Sequence, residues 1–281
     1  MTDLDGTAIH EFEGRLAIPE RVALALRELN ESGRQVVINS LRFPLNVIRT
    51  FGREWYSVTS APLPIISLNG SLTGYLTEAE DGQIAFRELD AFCLARSDVD
   101  ELIEQTSELL NAGADEMAIF LYPRDWTKGE LIWAPTPRTV EPFRAKYLSA
   151  SEVFTSSLVD LKARLVAEPH CMVFALIEAT GDRLMAYQHV SQRRFVTRRG
   201  VDKRFGAHAL CERLGLAFDA SVGAGDTLMD TFLSGIGLAI TVGAGELGFE
   251  GKHGSLRVAS SSELGDLLFR LAELDREMRA Q

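Results

Sequence analysis

Asp3 and Asp5, in the opening segment Thr2-Asp3-Leu4-Asp5-Gly6-Thr7, are the first residues whose types and spacing suggest chemistry. In an extended segment, residues two apart point the same way, so both carboxylates can face one site. Gly6 then lets the chain turn sharply just beyond the sheet edge. Such a pair at the carboxyl end of a parallel strand sits where open α/β sheets bind ligands. One carboxylate can attack phosphorus while the other, slightly further off, protonates the leaving oxygen. A calcium loop starting at Asp3 is excluded, because Ala8 and Gly14 stand where it needs Gly and Glu. Taken alone, the pair could equally be a solvated acidic terminus.

Three further elements bear on the same chemistry. Ser40 ends the apolar run Val36-Val37-Ile38-Asn39 and could hydrogen-bond a phosphate oxygen, although serine after a strand is commonplace. Lys203 opens a helical stretch, where a half-buried ammonium can neutralise both phosphate and nucleophile. On its own, a lysine in such a basic stretch, with Arg198, Arg199 and Arg204, is more often simply surface. In Val222-Gly223-Ala224-Gly225-Asp226-Thr227-Leu228-Met229-Asp230, Asp226 is expected where a strand gives way to a helix, with Asp230 one turn further on the same face. Hard oxygen donors of this kind suit Mg²⁺.

The elements that must position these groups alternate. Residues 19–33 read as a helix, with Pro19 near its first turn, Val22, Leu26 and Leu29 at helical spacing and Gly33 as the stop. Residues 35–39 and 64–68 read as buried strands, residues 43–53 as a helix, and Asn69-Gly70 as a turn. This rhythm predicts a parallel sheet with helices on both faces. Strands over 72–76 and 83–89 around Asp81-Gly82 then suggest a hairpin. Helices over 98–111 and 139–147 and strands over 117–122, 130–134, 171–177 and 194–197 complete an α+β unit. From Val201 the α/β rhythm resumes, with helices over 203–214 and 263–273, short strands over 220–223 and 238–242, and a helix starting over 227–233. The fold class expected is α/β: a Rossmann-like three-layer core with a parallel sheet, from residues 1–72 and 199–281, and a separate inserted α+β domain over 73–198.

Composition narrows the partners. A hydrophobic content of 46% and a charged content of 25% are ordinary for a soluble globular protein. Apolar stretches fall short of the ~18 residues that span a bilayer. The N-terminus is acidic rather than signal-like, so a cytoplasmic enzyme is expected. A net charge of −11 argues against binding nucleic acid or an anionic membrane face, but not against a small anion held through a divalent cation. Cys93, Cys171 and Cys211 are far apart in sequence and read as small core residues. Gly243-Ala244-Gly245-Glu246-Leu247-Gly248 fits a dinucleotide fingerprint, yet the glycine-rich sequence after it does not open a helix.

The order Asp-x-Asp, Ser, Lys, then Gly-Asp-x-x-x-Asp resembles the haloacid dehalogenase (HAD) superfamily, and most of all its Cof-like sugar-phosphatase branch with a class II α+β cap. The two core halves carry the resemblance; the cap matches in size, position and expected topology. The resemblance implies a Mg²⁺-dependent phosphatase that hydrolyses a small phosphorylated metabolite, a sugar phosphate or related phosphomonoester, through an aspartyl phosphate. It implies Asp3 as nucleophile, Asp5 as general acid–base, and Ser40 and Lys203 as phosphate ligands. Asp3, Asp5 and Asp226 would serve the metal, with Asp230 behind them. Arg42, Asn69, Gly70, Arg124, Trp126 and Lys128 are candidate substrate contacts. A sugar phosphomutase, or a degenerate member that binds phosphorylated ligands without turning them over, are the alternatives. The chain departs from the pattern at Met229, where the family often has Asn, and at Leu41-Arg42, where it usually has Gly-Arg. It also has only Met1 and Thr2 where the family has about five more apolar residues, a central strand whose loss would expose apolar area and unpair ladder groups. An N-terminally extended chain is therefore expected to be more stable and more active.

Overall fold

The computed structural model describes residues 1–12, 15–177 and 195–279. In chain order, the first elements are β1 (His10–Phe12), β2 (Arg15–Ala17), α1 (Glu20–Glu31), β3 (Ile38–Asn39), α2 (Pro44–Val47), α3 (Arg53–Thr59), β4 (Leu63–Ser67), β5 (Leu72–Glu78) and β6 (Ile84–Ala91). There follow α4 (Arg96–Asn111), β7 (Ala118–Pro123), β8 (Leu131–Ala134), α5 (Pro137–Lys146), β9 (Glu152–Thr155), α6 (Leu158–Ala167), β10 (His170–Leu176) and β11 (Phe195–Thr197). The last are α7 (Lys203–Leu214), β12 (Val222–Gly225), β13 (Leu238–Val242), β14 (Ser255–Val258) and α8 (Ser261–Arg279). They divide into two compact units, one of Met1–Leu41, Val47–Asp90 and Asp202–Gln281, the other of Arg42–Asn46 and Ala91–Val201.

The first unit is built on one sheet. β12, β13 and β14 are parallel, β3 and β4 are parallel, and β5 and β6 extend the edge beyond β4, which β5 joins antiparallel. Thr2 joins the two halves by parallel bridges to Ile38 and Ala224. Its N–H donates to Val37 O, the Asp3 N–H donates to Ala224 O, and Asn39 N–H donates to Thr2 O, each at 2.9 Å. Asp3 therefore leaves the sheet from its middle. Of the strand expected over 35–39, only Ile38–Asn39 forms a ladder, in register with Ile65–Ile66. α7 covers an apolar cluster that includes Val37, Ile66, Leu210, Phe232 and Ile236. α8 lies against α1 so closely that a Cβ on Gly265 would sit 2.9 Å from the Arg21 backbone.

The second unit is an α+β layer with strand order β11-β10-β7-β8-β9. All pairs are antiparallel except β8 with β9. α4 and α6 bury Val99, Leu102, Leu161 and Leu165 against Ile119, Trp133 and Val173 of the sheet. α6 is capped by Ser157, whose Oγ accepts from Asp160 N–H.

Several sequence expectations need correcting. The core–cap boundary lies at 90/91 rather than 72/73, because β5 pairs with β4 through Leu63↔Leu76 to Ser67↔Leu72 and so carries the hairpin into the core sheet. The second boundary lies at 201/202 rather than 198/199. Arg194, the expected first residue of a strand, lies outside the described residues. The helix over 43–53 runs instead from Pro44 to Thr59, through an irregular turn at Phe51 with φ −150°. The helix expected from Thr227 does not form; only Thr231–Leu233 makes one short 3₁₀ turn. Asp230 bonds the backbone upstream of it instead, the local competition by which aspartate disfavours helix interiors. No helix opens within 243–248.

Candidate active site

Five of the chemical groups named above in the first unit follow the carboxyl end of a strand or begin a helix. Asp3 follows the Thr2 bridge, Ser40 follows β3, Asn69 follows β4, Asp226 follows β12, and Lys203 is the first residue of α7. The carboxyl ends of parallel strands thus converge, as they do in open α/β sheets that bind ligands.

At the centre, Lys203 Nζ donates to Asp3 Oδ1 at 2.5 Å and to Asp230 Oδ1 at 2.7 Å. All three are buried: Lys203 is 2% exposed, Asp3 5% and Asp230 0%. The other oxygen of Asp230, Oδ2, accepts from the N–H groups of Asp226 and Thr227 at 3.0 and 2.9 Å and from Thr227 Oγ1 at 3.2 Å. Asp230 therefore fixes both the ammonium and the loop that carries Asp226. It does so from a turn, not from a helix face. Asp226 Oδ1 in turn accepts from Thr7 Oγ1 at 3.0 Å. Gly6, at φ +79°, passes so close that a Cβ would meet Asp226 Oδ2 at 2.1 Å.

One ammonium faces three carboxylates. Oxygens of Asp3, Asp226 and Asp230 lie within 4.8 Å of one another, which among the described residues is the one grouping of this kind that could hold a metal ion. Burial raises the proton affinity of Asp3 well above the ordinary carboxylate range; Lys203 opposes this, and the charges of Asp230, Asp226 and Asp5 add to it. Burial and then the Asp230 charge push the Asp226 carboxyl up to about 6, against the Thr7 hydrogen bond. Burial works against the Lys203 charge, but Asp230 and Asp3 outweigh it and hold the ammonium well above its ordinary value. Hard carboxylate donors with a deficit of positive charge are of the kind that could hold a divalent cation.

The structure thus brings together Asp3, Lys203, Asp226 and Asp230, with Asp5 near enough for its charge to act on Asp3. Ser40 is buried, and its N–H donates to Ile66 O at 2.8 Å. Asn69 is buried in a turn with Leu68, Asn69 and Gly70 at φ 51°, 57° and 91°. Gly70 abuts the start of α7, where a Cβ would meet Asp202 O at 2.0 Å. Arg42 is buried and falls in the second unit, as do Arg124, Trp126 and Lys128, and Lys128 pairs there with Glu168 at 2.5 Å. Met229 is 1% exposed and belongs to the core. The sequence assigned Gly6 only the turn after Asp5, not its close approach to Asp226, and gave no role to Thr7, Thr227 or Asn39, whose Nδ2 donates to Lys203 O at 3.0 Å. Gly6 and Thr7 stood inside the quoted motif; Asn39, at a strand end, carried no signal of its own.

No family model and no curated protein matches the chain. Solved structures do. A HAD subclass IIB sugar phosphatase, BT4131, aligns over 99% of this chain and 97% of its own at 14% identity and a TM-score of 0.63. The phosphatase BT1666 from Bacteroides thetaiotaomicron aligns over 96% and 92% at 17% identity and a TM-score of 0.65. A HAD/COF-like hydrolase from Plasmodium vivax aligns over 97% and 94% at 18% identity and a TM-score of 0.67. The chain therefore has the fold of the HAD phosphatases, a Rossmann-like core with an inserted α+β cap, as the motif order implied. Among the described residues no helix is long and apolar enough to cross a membrane.

Proposed function

We propose that the protein is a Mg²⁺-dependent phosphatase that hydrolyses a small phosphorylated metabolite, a sugar phosphate or related phosphomonoester, through an aspartyl phosphate on Asp3. The observation that carries this reading is the buried Asp230–Lys203–Asp3 ion triplet beside Asp226 at the carboxyl ends of the sheet. The fold shared with BT4131, described as a sugar phosphatase, supports the substrate class.

Asp3 attacks the phosphoryl group in line with the departing alcohol, and Asp5 protonates that alcohol and then activates water against the aspartyl phosphate. Lys203 neutralises the nucleophile and the phosphate oxygens, and Ser40 donates a hydrogen bond to the phosphate. Asp3, Asp226 and the Asp5 main-chain carbonyl would hold Mg²⁺, which when bound supplies charge stabilisation for phosphoryl transfer. Asp230 positions Lys203 and the Asp226 loop through the bonds described above. Asn69 and Gly70 in the core, and Arg42, Arg124, Trp126 and Lys128 in the cap, are proposed substrate contacts.

Phosphate release from a panel of phosphorylated sugars, nucleotides and cofactors with Mg²⁺ tests the reading. Asp3→Asn is expected to abolish turnover while its circular dichroism and melting stay close to those of the unaltered protein. Near-normal hydrolysis by Asp3→Asn would refute the assignment, and phosphoryl transfer to a second sugar hydroxyl rather than to water would mark a mutase.

A further inference from the structure

Two of the three cysteines, distant in sequence, meet in the second unit. Cys93 lies between β6 and α4, in the stretch by which the chain passes into that unit, and Cys171 lies on β10. Their Sγ atoms are 3.8 Å apart. Beside them, Leu94 N–H donates to His170 O at 2.9 Å and keeps the two backbones adjacent. Cys171 also falls where the register of β10 against β7 shifts, between His170 and Met172. Such an irregularity re-aims a side chain out of regular alternation. Cys171 is buried and Cys93 is partly exposed, so a solvent-borne oxidant meets Cys93 first. Cys211, on α7 of the other unit, is buried as well.

We propose that Cys93 and Cys171 are a reversible thiol–disulfide pair, closed by a hydroperoxide, that fastens the segment connecting β6 to α4 onto β10. The Cys93 thiolate attacks the peroxide, forming an S–O bond as the O–O bond breaks, and water leaves after protonation. The Cys171 thiolate then attacks the sulfenic sulfur, forming the S–S bond as hydroxide leaves and is protonated. In sum, two thiols and one hydrogen peroxide give one disulfide and two waters, and the two electrons lost by sulfur are gained by the peroxide. The sulfurs must close from 3.8 Å to about 2.05 Å, a movement for side-chain rotation between backbones already tied together. The link would span 78 sequence positions and enclose α4 to α6 and β7 to β9. This inference does not depend on the phosphatase reading.

The test is thiol titration and peptide mapping of the full chain after stoichiometric hydrogen peroxide under native conditions. The thiol titre is expected to fall from three to one, with a Cys93–Cys171 crosslinked peptide that dithiothreitol reverses. In Cys171→Ser, Cys93 should stop at the sulfenic acid and be trapped by dimedone, whereas the unaltered protein is not trapped. Cys211→Ser should lose both remaining thiols together. Independent loss of thiols without a crosslink, a crosslink through Cys211, or equal dimedone trapping with and without Cys171 would each overturn the proposal. The mapping of the unaltered chain decides the matter even where a variant does not fold.

Discussion

Replacing Lys203 with Met removes the one ammonium held against Asp3 and Asp230, at 2.5 and 2.7 Å, and leaves both carboxylates buried. With Asp3 5% and Asp230 0% exposed, water cannot take over its part. Removing one partner of a buried ion pair costs about 3–5 kcal/mol, and Met keeps most of the lysine stem's volume, so little of the loss comes from a cavity. The cost depends on pH. Asp3 already holds its proton above the ordinary carboxylate range, and losing Lys203 removes the positive charge that opposes this. A carboxyl whose folded pKa is raised contributes stability at low pH and loses it as pH climbs through the folded value. The deficit of Lys203→Met should therefore be small near pH 4 and reach about 3–5 kcal/mol near pH 8. Urea unfolding followed by circular dichroism across that range measures it. Adding Asp230→Asn takes away one orphaned carboxylate and should restore about 1–2 kcal/mol near pH 8. A deficit below about 1 kcal/mol, or one of equal size at both ends of the range, would show that the triplet is not the electrostatic centre of the site.

Two further outcomes follow from buried geometry. Glu130 is 3% exposed, and burial pushes its carboxyl from 4.5 up to about 7 against a hydrogen bond with Tyr122, so this group costs the fold about 3 kcal/mol as pH rises through that window. Glu130→Gln should raise stability near pH 8 by an amount of that order and flatten this part of the pH profile; parallel urea-unfolding profiles for the two proteins would contradict it. Gly6→Ala places a methyl group against Asp226 Oδ2 at a backbone φ of +79° and should displace the loop carboxylate. Mg²⁺ affinity by calorimetry and turnover should each fall by about tenfold or more, and an unchanged affinity would show that Gly6 does not set Asp226.

Much of the core was legible because its signals are local. Pro19, the apolar periodicity to Leu29, and Gly33 mark a helix that α1 confirms, and the 64–68 run is β4 within a residue. Other features depended on distant partners. Whether β5 belongs to core or cap is settled by pairing with β4, which no property of residues 72–76 announces. β9 and α6 were missed although Ser157, Leu158, Leu161 and Leu165 carry a capped helical pattern; short elements between better signals are easily passed over. Asp226 and Asp230 come together as their spacing suggests, but in a turn rather than on a helix. Spacing by four fits one helical turn, yet the Asp230 carboxylate finds the Asp226 and Thr227 N–H groups in a tighter turn and keeps its other oxygen for Lys203. The cysteines show the same limit, since Cys93 and Cys171 meet only through the fold.

The site depends on the core because its charges come from opposite ends of the chain. Asp3 and Lys203 stand 200 positions apart and touch only if Thr2 bridges both Ile38 and Ala224 while α7 lies on the sheet. Three carboxylates around one ammonium are unfavourable in isolation, and the raised proton affinities of Asp3 and Asp226 express that cost. A chain shaped for stability alone would place apolar residues there, since well-packed replacements for buried ions are often neutral or stabilising. The strain is instead concentrated where strand ends converge, with Gly6, Thr7 and Thr227 holding the carboxylates in place. In the proposed chemistry a cation would relieve this preorganised excess negative charge and a phosphoryl group would arrive with it, so the same four side chains that weaken the core are the ones that chemistry would use.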